Sequence, residues 1–415
     1  MQKSTQFKLS AMMFLEFFIW GGWFVTLGTF LGNNMGASGE AIGQAFSTQS
    51  WGAIIAPFII GLIADRYFNA ERILGVLHFV GAILMYMMAS AENFDSFYPL
   101  VLGYMIAYMP TLALVNSVAF HQMNDPAKEF SQIRVFGTIG WVVAGLAISY
   151  VFGWDSKEAI AGGMLKNTFL MTAAASLVLG LLSFTLPATP PKADRNKTVS
   201  LSDILGLEAL KLFRDKNYLI FFLSSILICI PLAFYYQNAN TFLVEAGMEN
   251  ATGKMTLGQI SEVLFMLLLP VFFKKYGFKN TILIGMLAWA VRYVLFAYGD
   301  AGSLTFMLLT GIALHGICYD FFFVSGQIYT DAKAGPAVKS AAQGLITLAT
   351  YGIGMLIGFW VAGKIVESHK IASTDPAGTA MTDWNEVWLY PAAFAAIIMV
   401  IFLLTFKNEK VEAAA

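Results

Sequence analysis

Residues 9–31 read LSAMMFLEFFIWGGWFVTLGTFL, a run of twenty-three residues with a single charge, Glu16. A helix rises about 1.5 Å per residue, so about 20 apolar residues cross a hydrocarbon core of about 30 Å. The run meets that length. No small-residue cleavage site follows it, so it is expected to remain as a first membrane helix rather than depart as a signal peptide. Working outward, eleven more apolar runs lie near 41–64, 71–90, 97–120, 131–152, 166–187, 217–245, 256–273, 280–299, 303–329, 338–366 and 386–406. The chain is therefore expected to be an all-α, polytopic membrane protein with twelve transmembrane helices.

Composition agrees. Of 415 residues, 58% are hydrophobic and 12% charged, against about 25% charged in a typical soluble domain. The 37 glycines and 15% aromatics suit helices that pack through small residues and rings that sit at interfaces. A net charge of −1 gives no bulk attraction to nucleic acid. Cys229 and Cys318 both lie in apolar runs, which argues against a disulfide framework. There is no phosphate-binding Gly-x-x-x-x-Gly-Lys-Ser/Thr, no His-Glu-x-x-His and no paired-cysteine spacing, and the four histidines stand far apart. An enzyme is not expected, nor is a metal or a cofactor.

Between the sixth and seventh runs, residues 188–216 form a polar stretch with Pro190, Pro191 and six Lys or Arg residues. This divides the chain into a six-helix bundle over 1–187, a linker over 188–216 and a second six-helix bundle over 217–415. Two bundles of that kind are expected of a transporter with its site between repeats. With the N-terminus inside, the inner segments take Lys3, Lys8, Arg66, Arg72, Lys128, the linker cations, Lys274, Lys275, Lys279, Lys333, Lys339, Lys407 and Lys410. The outer ones take only Lys157, Lys166, Lys254, Lys364 and Lys370. The excess of basic residues predicts cytoplasmic termini and linker, and an outer loop over 367–384. Within the linker, LSDILGLEALKLF (201–213) is predicted to form a short amphipathic helix after Ser200 or Ser202, lying on the inner face.

Ionisable residues inside the spans are costly and so become candidates for function. Here they are Glu16, His78, Arg134, Glu262, Arg292, His315 and Asp320. Glu16, His78 and Arg292 read as readily as groups that satisfy neighbouring helices. Arg134, Thr138 and Trp141 stand at i, i+4 and i+7, placing a cation, a hydroxyl and an indole on one face. That face suits a polar, ring-bearing ligand, although Arg134 could instead snorkel to the inner interface. Gln237 and Asn240 lie one turn apart, and two amides on one face read both donors and acceptors. The alternative is helix-to-helix hydrogen bonding. Gln259 and Glu262 repeat the spacing, Tyr319 and Phe323 form an aromatic pair at i, i+4, and Asn116 precedes the loop leading to Arg134. At 61–66 the sequence GLIADR, followed by Arg72, places Gly61, Asp65 and Arg66 at the inner end of the second span. Close helix approach at the glycine and an acid–base latch fit gating rather than ligand contact. The matching place in the second half, PVFFKKYGFKN (270–280), keeps the cations and lacks the acid.

The Gly-x-x-x-Asp-Arg pattern resembles the signature of the major facilitator superfamily. Within it, FFIWGGWFVTLGTFL (17–31), SQIRVFGTIGW (131–141), YYQNANTFL (235–243), GQISEVLFMLLLP (258–270) and HGICYDFFFVSGQIY (315–329) resemble the bacterial nucleoside:proton symporter family. The likeness runs through nearly the whole chain. It implies a nucleoside held between the two halves, with contacts at Arg134, Thr138, Trp141, Gln237, Asn240, Gln259, Glu262, Tyr319 and Phe323; an aromatic other than Trp is the family's usual occupant at 141. A more distant resemblance is to lactose permease, through Arg134 to Trp141 and through Arg292 and His315. That pattern's sugar-binding acid is Asn116 here and its proton-carrying acid is Cys318, so the proton must use another carboxyl.

The expectation is a proton-coupled nucleoside importer of the inner membrane, working by alternating access as a monomer in the lipid bilayer. The same fold could carry a sugar, oligosaccharide or glycopeptide, or serve as a non-transporting receptor. Glu262 is expected to couple the proton, with Asp320 as its rival unless Asp320 pairs with Arg292.

Overall fold

The computed structural model describes residues 2–59, 67–191, 207–371 and 381–409. They are helical almost throughout. The chain divides into two compact units, one of Met1–Ala37, Thr48–Ser200 and Glu249–Gly253, the other of Ser38–Ser47, Leu201–Met248 and Lys254–Ala415.

The first unit holds α1 (Lys3–Gly21), α2 (Leu27–Met35), most of α3 (Gly39–Ile59), α4 (Ala70–Ala89), α5 (Phe94–His121), α6 (Pro126–Leu146), the short α7 (Lys157–Ala161) and α8 (Lys166–Ser183). Local chemistry sets the starts: Asn93 caps α5 by accepting from the Ser96 N–H, Ser156 caps α7, and Pro126 opens α6, where a missing N–H costs nothing. The run predicted over 9–31 is interrupted. Helix α1 stops at Gly21, and residues 22–26 form turns before α2 begins. A glycine pair lowers helix propensity enough for packing to break the run there. Helix α1 lies against α6 at glycines. A Cβ at Gly140 would run into the Phe14 carbonyl oxygen, and one at Gly137 would stand 2.7 Å from the Phe17 ring.

The second unit holds α9 (Lys216–Glu245), α11 (Leu257–Tyr298), α12 (Thr305–Ala313), α13 (His315–Tyr319), α14 (Ser325–Thr347), α15 (Met355–Ser368) and α16 (Trp384–Thr405); the short α10 (Ala251–Met255), between α9 and α11, begins in the first unit and ends in the second. The apolar stretch Ala251–Tyr298 has 48 residues, about 72 Å of helix and twice what a bilayer core needs. Gly277 divides it with φ 73° and ψ 174°. Gly335 divides α14 in the same way. Only glycine enters such backbone regions cheaply. Between α13 and α14, and between α14 and α15, the helix loosens into π-turns at Asp320–Val324 and Leu348–Gly354; a third follows α6 at Ala147–Val151. A two-residue antiparallel pair, β1 (Lys370–Ile371) with β2 (Met381–Thr382), precedes α16.

Nine helical stretches among the described residues are long and apolar enough to cross a membrane. Outward-facing side chains such as Leu267, Leu404 and Ile83 are exposed, as the lipid-facing surface of a span requires. Of the linker helix predicted over 201–213, residues 201–206 lie outside the described residues. The remainder, Leu207–Arg214, is a 3-10 helix rather than an α-helix. Eight residues leave little room before Asp215, which caps α9 through the N–H groups of Asn217 and Tyr218. Lys333 reaches Asp215 at 2.6 Å and Glu409 at 2.8 Å. Partial burial pushes the Asp215 carboxyl up, but Lys333 and the two capping N–H groups outweigh it and hold the acid below its usual range.

Substitution of Gly140 by Val is expected to destabilise the first unit by about 1–3 kcal/mol, because the added carbons have no space against Phe14. Gly103→Ala is the control: its Cβ would meet only Leu84, at 3.8 Å. A thermal unfolding comparison in detergent should show a lowered midpoint for the first variant alone.

Candidate functional site

In the first unit, α6 presents Arg134, Thr138 and Trp141 as half-buried side chains on the side that packs against α1. The Arg134 guanidinium lies over the Phe17 ring at 4.1 Å, and the Trp141 indole meets Trp20 edge-on at 5.6 Å. Gly137 clears the first contact: a Cβ there would be 2.6 Å from Arg134 Nη1. Gly21 clears the second, since its Cβ would stand 2.9 Å from the Trp141 ring. Among the described residues no acid forms an ion pair with Arg134. The result is a cation and two indoles on one wall. Phe17 and Trp20 complete it, and the sequence reading does not single them out; their i, i+3 spacing in the first span is the signal that could have. Asn116 stands half-buried on α5.

Beside that wall, Glu16 is fully buried and fully engaged. One oxygen meets His78 Nε2 at 2.9 Å, the other accepts from the Thr111 hydroxyl at 2.6 Å, and its backbone carbonyl accepts from Tyr108. Ser176 donates to the His78 carbonyl at 3.0 Å and faces Nδ1 at 3.1 Å. Four helices, α1, α4, α5 and α8, are tied through one acid. This favours the reading of Glu16 and His78 as groups that satisfy neighbouring helices.

The second unit gathers the other candidates. Gln237 and Asn240 on α9 are both buried. Among the described residues neither end of the Gln237 amide has a hydrogen-bond partner, while Asn240 Nδ2 reaches Met255 Sδ at 3.7 Å. Gln259 and Glu262 are half-buried on α11. Gly316 brings that helix against α13 almost backbone to backbone: its N–H donates to Ser261 Oγ at 3.0 Å, and a Cβ there would be 2.6 Å from the Glu262 nitrogen. Tyr319 follows on α13, its ring 5.1 Å from Phe323 and its hydroxyl 2.8 Å from that of Tyr351. Glu262 lies within electrostatic reach of Tyr236 and of Asp320. Tyr236 and Tyr351 are further members of this cluster that the sequence does not single out. Tyr351 comes from another helix, 32 residues from Tyr319, and no local pattern connects them.

Asp320 opens the π-turn that follows Tyr319. It is fully buried, and neither carboxyl oxygen has a hydrogen-bond partner among the described residues. The pairing with Arg292 left open by the sequence does not form. Arg292 instead stacks on Tyr235 at 3.3 Å and reaches His315 Nδ1 at 3.2 Å. An ionised carboxylate with no partner in an apolar interior is strongly disfavoured, and a proton removes that penalty. The site residues thus fall in both units: Asn116, Arg134, Thr138 and Trp141 in the first, and Gln237, Asn240, Gln259, Glu262, Tyr319, Asp320 and Phe323 in the second. Of the gating pattern, Gly61, Asp65 and Arg66 lie outside the described residues, while Arg72 is exposed in the first turn of α4.

Residues 3–411 match the family described as nucleoside H+ symporter. The chain is 44% identical to the putative nucleoside transporter YegT of Escherichia coli, over 99% of this chain and 96% of that one. It is 32% identical to the nucleoside permease NupG of Escherichia coli, over 99% and 97%. The crystal structure of NupG superposes with a TM-score of 0.84 at 31% identity, covering 98% of this chain and all of that one.

His78→Leu leaves Glu16 buried without its ring partner. Breaking one side of a buried pair costs about 3–5 kcal/mol, so this variant is expected to lose most of its folded yield or to unfold at a markedly lower temperature. A thermal shift within error of wild type would show that the four-helix tie carries little of the first unit's stability.

Proposed function

Because the chain belongs to the nucleoside H+ symporter family, it takes up nucleosides together with protons, and we propose that Asp320 is the carboxyl that carries the proton. The fold is of the major facilitator type, and the family is one of transporters. One observation carries the assignment: Asp320 is fully buried, with both oxygens unpartnered among the described residues. In that setting the neutral acid is tolerated and the anion is not. A proton taken from the outer side by the carboxylate makes Asp320 neutral; its release inside returns a charge that must find water or a partner. Proton occupancy thereby changes which arrangement of the transporter is tolerated, which is the coupling that alternating access requires.

The nucleoside takes its polar contacts from the remaining candidates. The Gln237 amide, unpaired among the described residues, offers one donor and one acceptor to a base edge, with Asn240 one turn on. The Glu262 carboxylate accepts from ribose hydroxyls, beside Gln259. Rings at Trp141, Tyr319 and Phe323 supply stacking surface, and Arg134 and Thr138 supply donors. Asn116, on the neighbouring α5, offers a further amide. The 61–72 pattern serves as a gate. The two bundles 1–187 and 217–415, joined by 188–216, are the halves that open in turn. The excess of basic residues supports cytoplasmic termini and a place in the inner membrane for a monomer surrounded by lipid.

Proteoliposomes separate the two acids. Asp320→Asn is expected to exchange labelled nucleoside across the membrane but not to accumulate it down a pH gradient. Glu262→Gln is expected to accumulate it still, with affinity weakened by about 1–3 kcal/mol through a lost ligand bond. Accumulation retained by Asp320→Asn and abolished in Glu262→Gln would transfer the coupling role to Glu262.

A further inference from the structure

Arg292 belongs to neither the proton path nor the nucleoside contacts above, yet it is a fully buried cation. It comes from α11 and lies between residues of two other helices. The Tyr235 ring of α9 is 3.3 Å from the guanidinium carbon, and Phe296 backs it at 5.7 Å. On the remaining side Nη1 stands 3.2 Å from Nδ1 of His315, the first residue of α13. Among the described residues Nε and Nη2 have no hydrogen-bond partner by distance and angle. The guanidinium also lies within reach of the Cys318 thiol and the Tyr235 hydroxyl, but its closest directed contact to a ring nitrogen is the one to the imidazole.

That bond fixes the state of His315. A guanidinium only donates, so Nδ1 must be the acceptor and cannot carry a proton. The ring's single N–H is then on Nε2. Stacking on Tyr235, with centroids 5.4 Å apart and planes 25° from parallel, holds the ring's orientation. The imidazole meets Tyr236 edge-on at 6.4 Å and Tyr319 at 5.9 Å, the two tyrosines that border Glu262 and Phe323. His315 is thus a fixed-tautomer donor among the candidate site residues of the second unit. Its Cβ would stand 3.2 Å from one built at Gly258, one residue before Gln259.

We propose that Arg292 is a positioning residue for nucleoside binding, acting through His315. It keeps the imidazole neutral with its proton on Nε2, so that the ring donates to an acceptor oxygen or nitrogen of the nucleoside. The proposal rests on the nucleoside reading above. The two residues stand 23 positions apart in sequence; the structure makes them one unit that leaves the imidazole Nε2–H as a donor.

The first test needs no variant binding data. Nitrogen NMR of the full-length protein labelled with 15N-histidine reports the tautomer of each ring, and loss of one signal set in His315→Gln assigns it. The expected result is an Nε2-protonated neutral ring in wild type and a different or averaged state in Arg292→Gln. An Nδ1-protonated or fully protonated His315 in wild type overturns the proposal, even if Arg292→Gln fails to fold. The second test is a double-mutant cycle on equilibrium binding of uridine and inosine. Arg292→Gln should weaken binding by about tenfold in the wild-type background and by less than about twofold in the His315→Gln background, where no tautomer remains to be set. Equal losses in both backgrounds would make Arg292 merely structural. Absence of nucleoside binding by wild type would instead defeat the functional reading, leaving the NMR result to stand or fall alone.

Discussion

A charge buried in an apolar bundle must be paired, dispersed over a ring or neutralised, because no water is present to solvate it. Three places in this chain show the three outcomes. Glu16 is paired, held between His78 and Thr111 with both oxygens engaged. Arg292 is dispersed, its guanidinium over the Tyr235 ring and bonded to His315. Asp320 has neither recourse among the described residues, and a proton would make its burial tolerable. The first arrangement costs stability if disturbed and has no reason to change during a transport cycle. The last is poised for exchange, since the least satisfied group responds most to a new partner.

The backbone around Asp320 fits that role. A π-turn adds a residue to one turn of helix and displaces the side chains on either side of it, and such turns recur at functional sites. Here one begins at Asp320 and another contains Tyr351, whose hydroxyl meets that of Tyr319. At Gly316 the helices approach so closely that a methyl group would strike the α11 backbone. Close approach places Glu262 near the tyrosines and Asp320. Packing of small residues and loosened helix turns thus set the positions of these groups.

Much of this is legible in the sequence, and the reasons for the rest are physical. Apolar length locates the spans, because the bilayer imposes it. The division of Ala251–Tyr298 shows as the polar KKYGFKN segment, and Gly277 is where the backbone turns. The break after Gly21 is harder to see, because its neighbours are as apolar as the spans themselves. Arg134, Thr138 and Trp141 are readable as one face since helical spacing is local. The Glu16–His78 pair spans 62 residues and the Tyr319–Tyr351 bond spans 32; neither has a local signature. The sequence left Asp320 free either to pair with Arg292 or to stand alone. Only the direction of the Arg292 side chain, toward Tyr235 and His315, decides between them.

Infrared spectroscopy of the wild-type protein and Asp320→Asn in lipid tests most directly whether that lone carboxyl is kept neutral and used. The account requires a protonated-carboxyl stretching band in ligand-free wild type at neutral pH, absent from Asp320→Asn, that changes when nucleoside is added. Identical protonated-carboxyl regions in the two proteins, with and without nucleoside, would show that Asp320 is ionised and would contradict it.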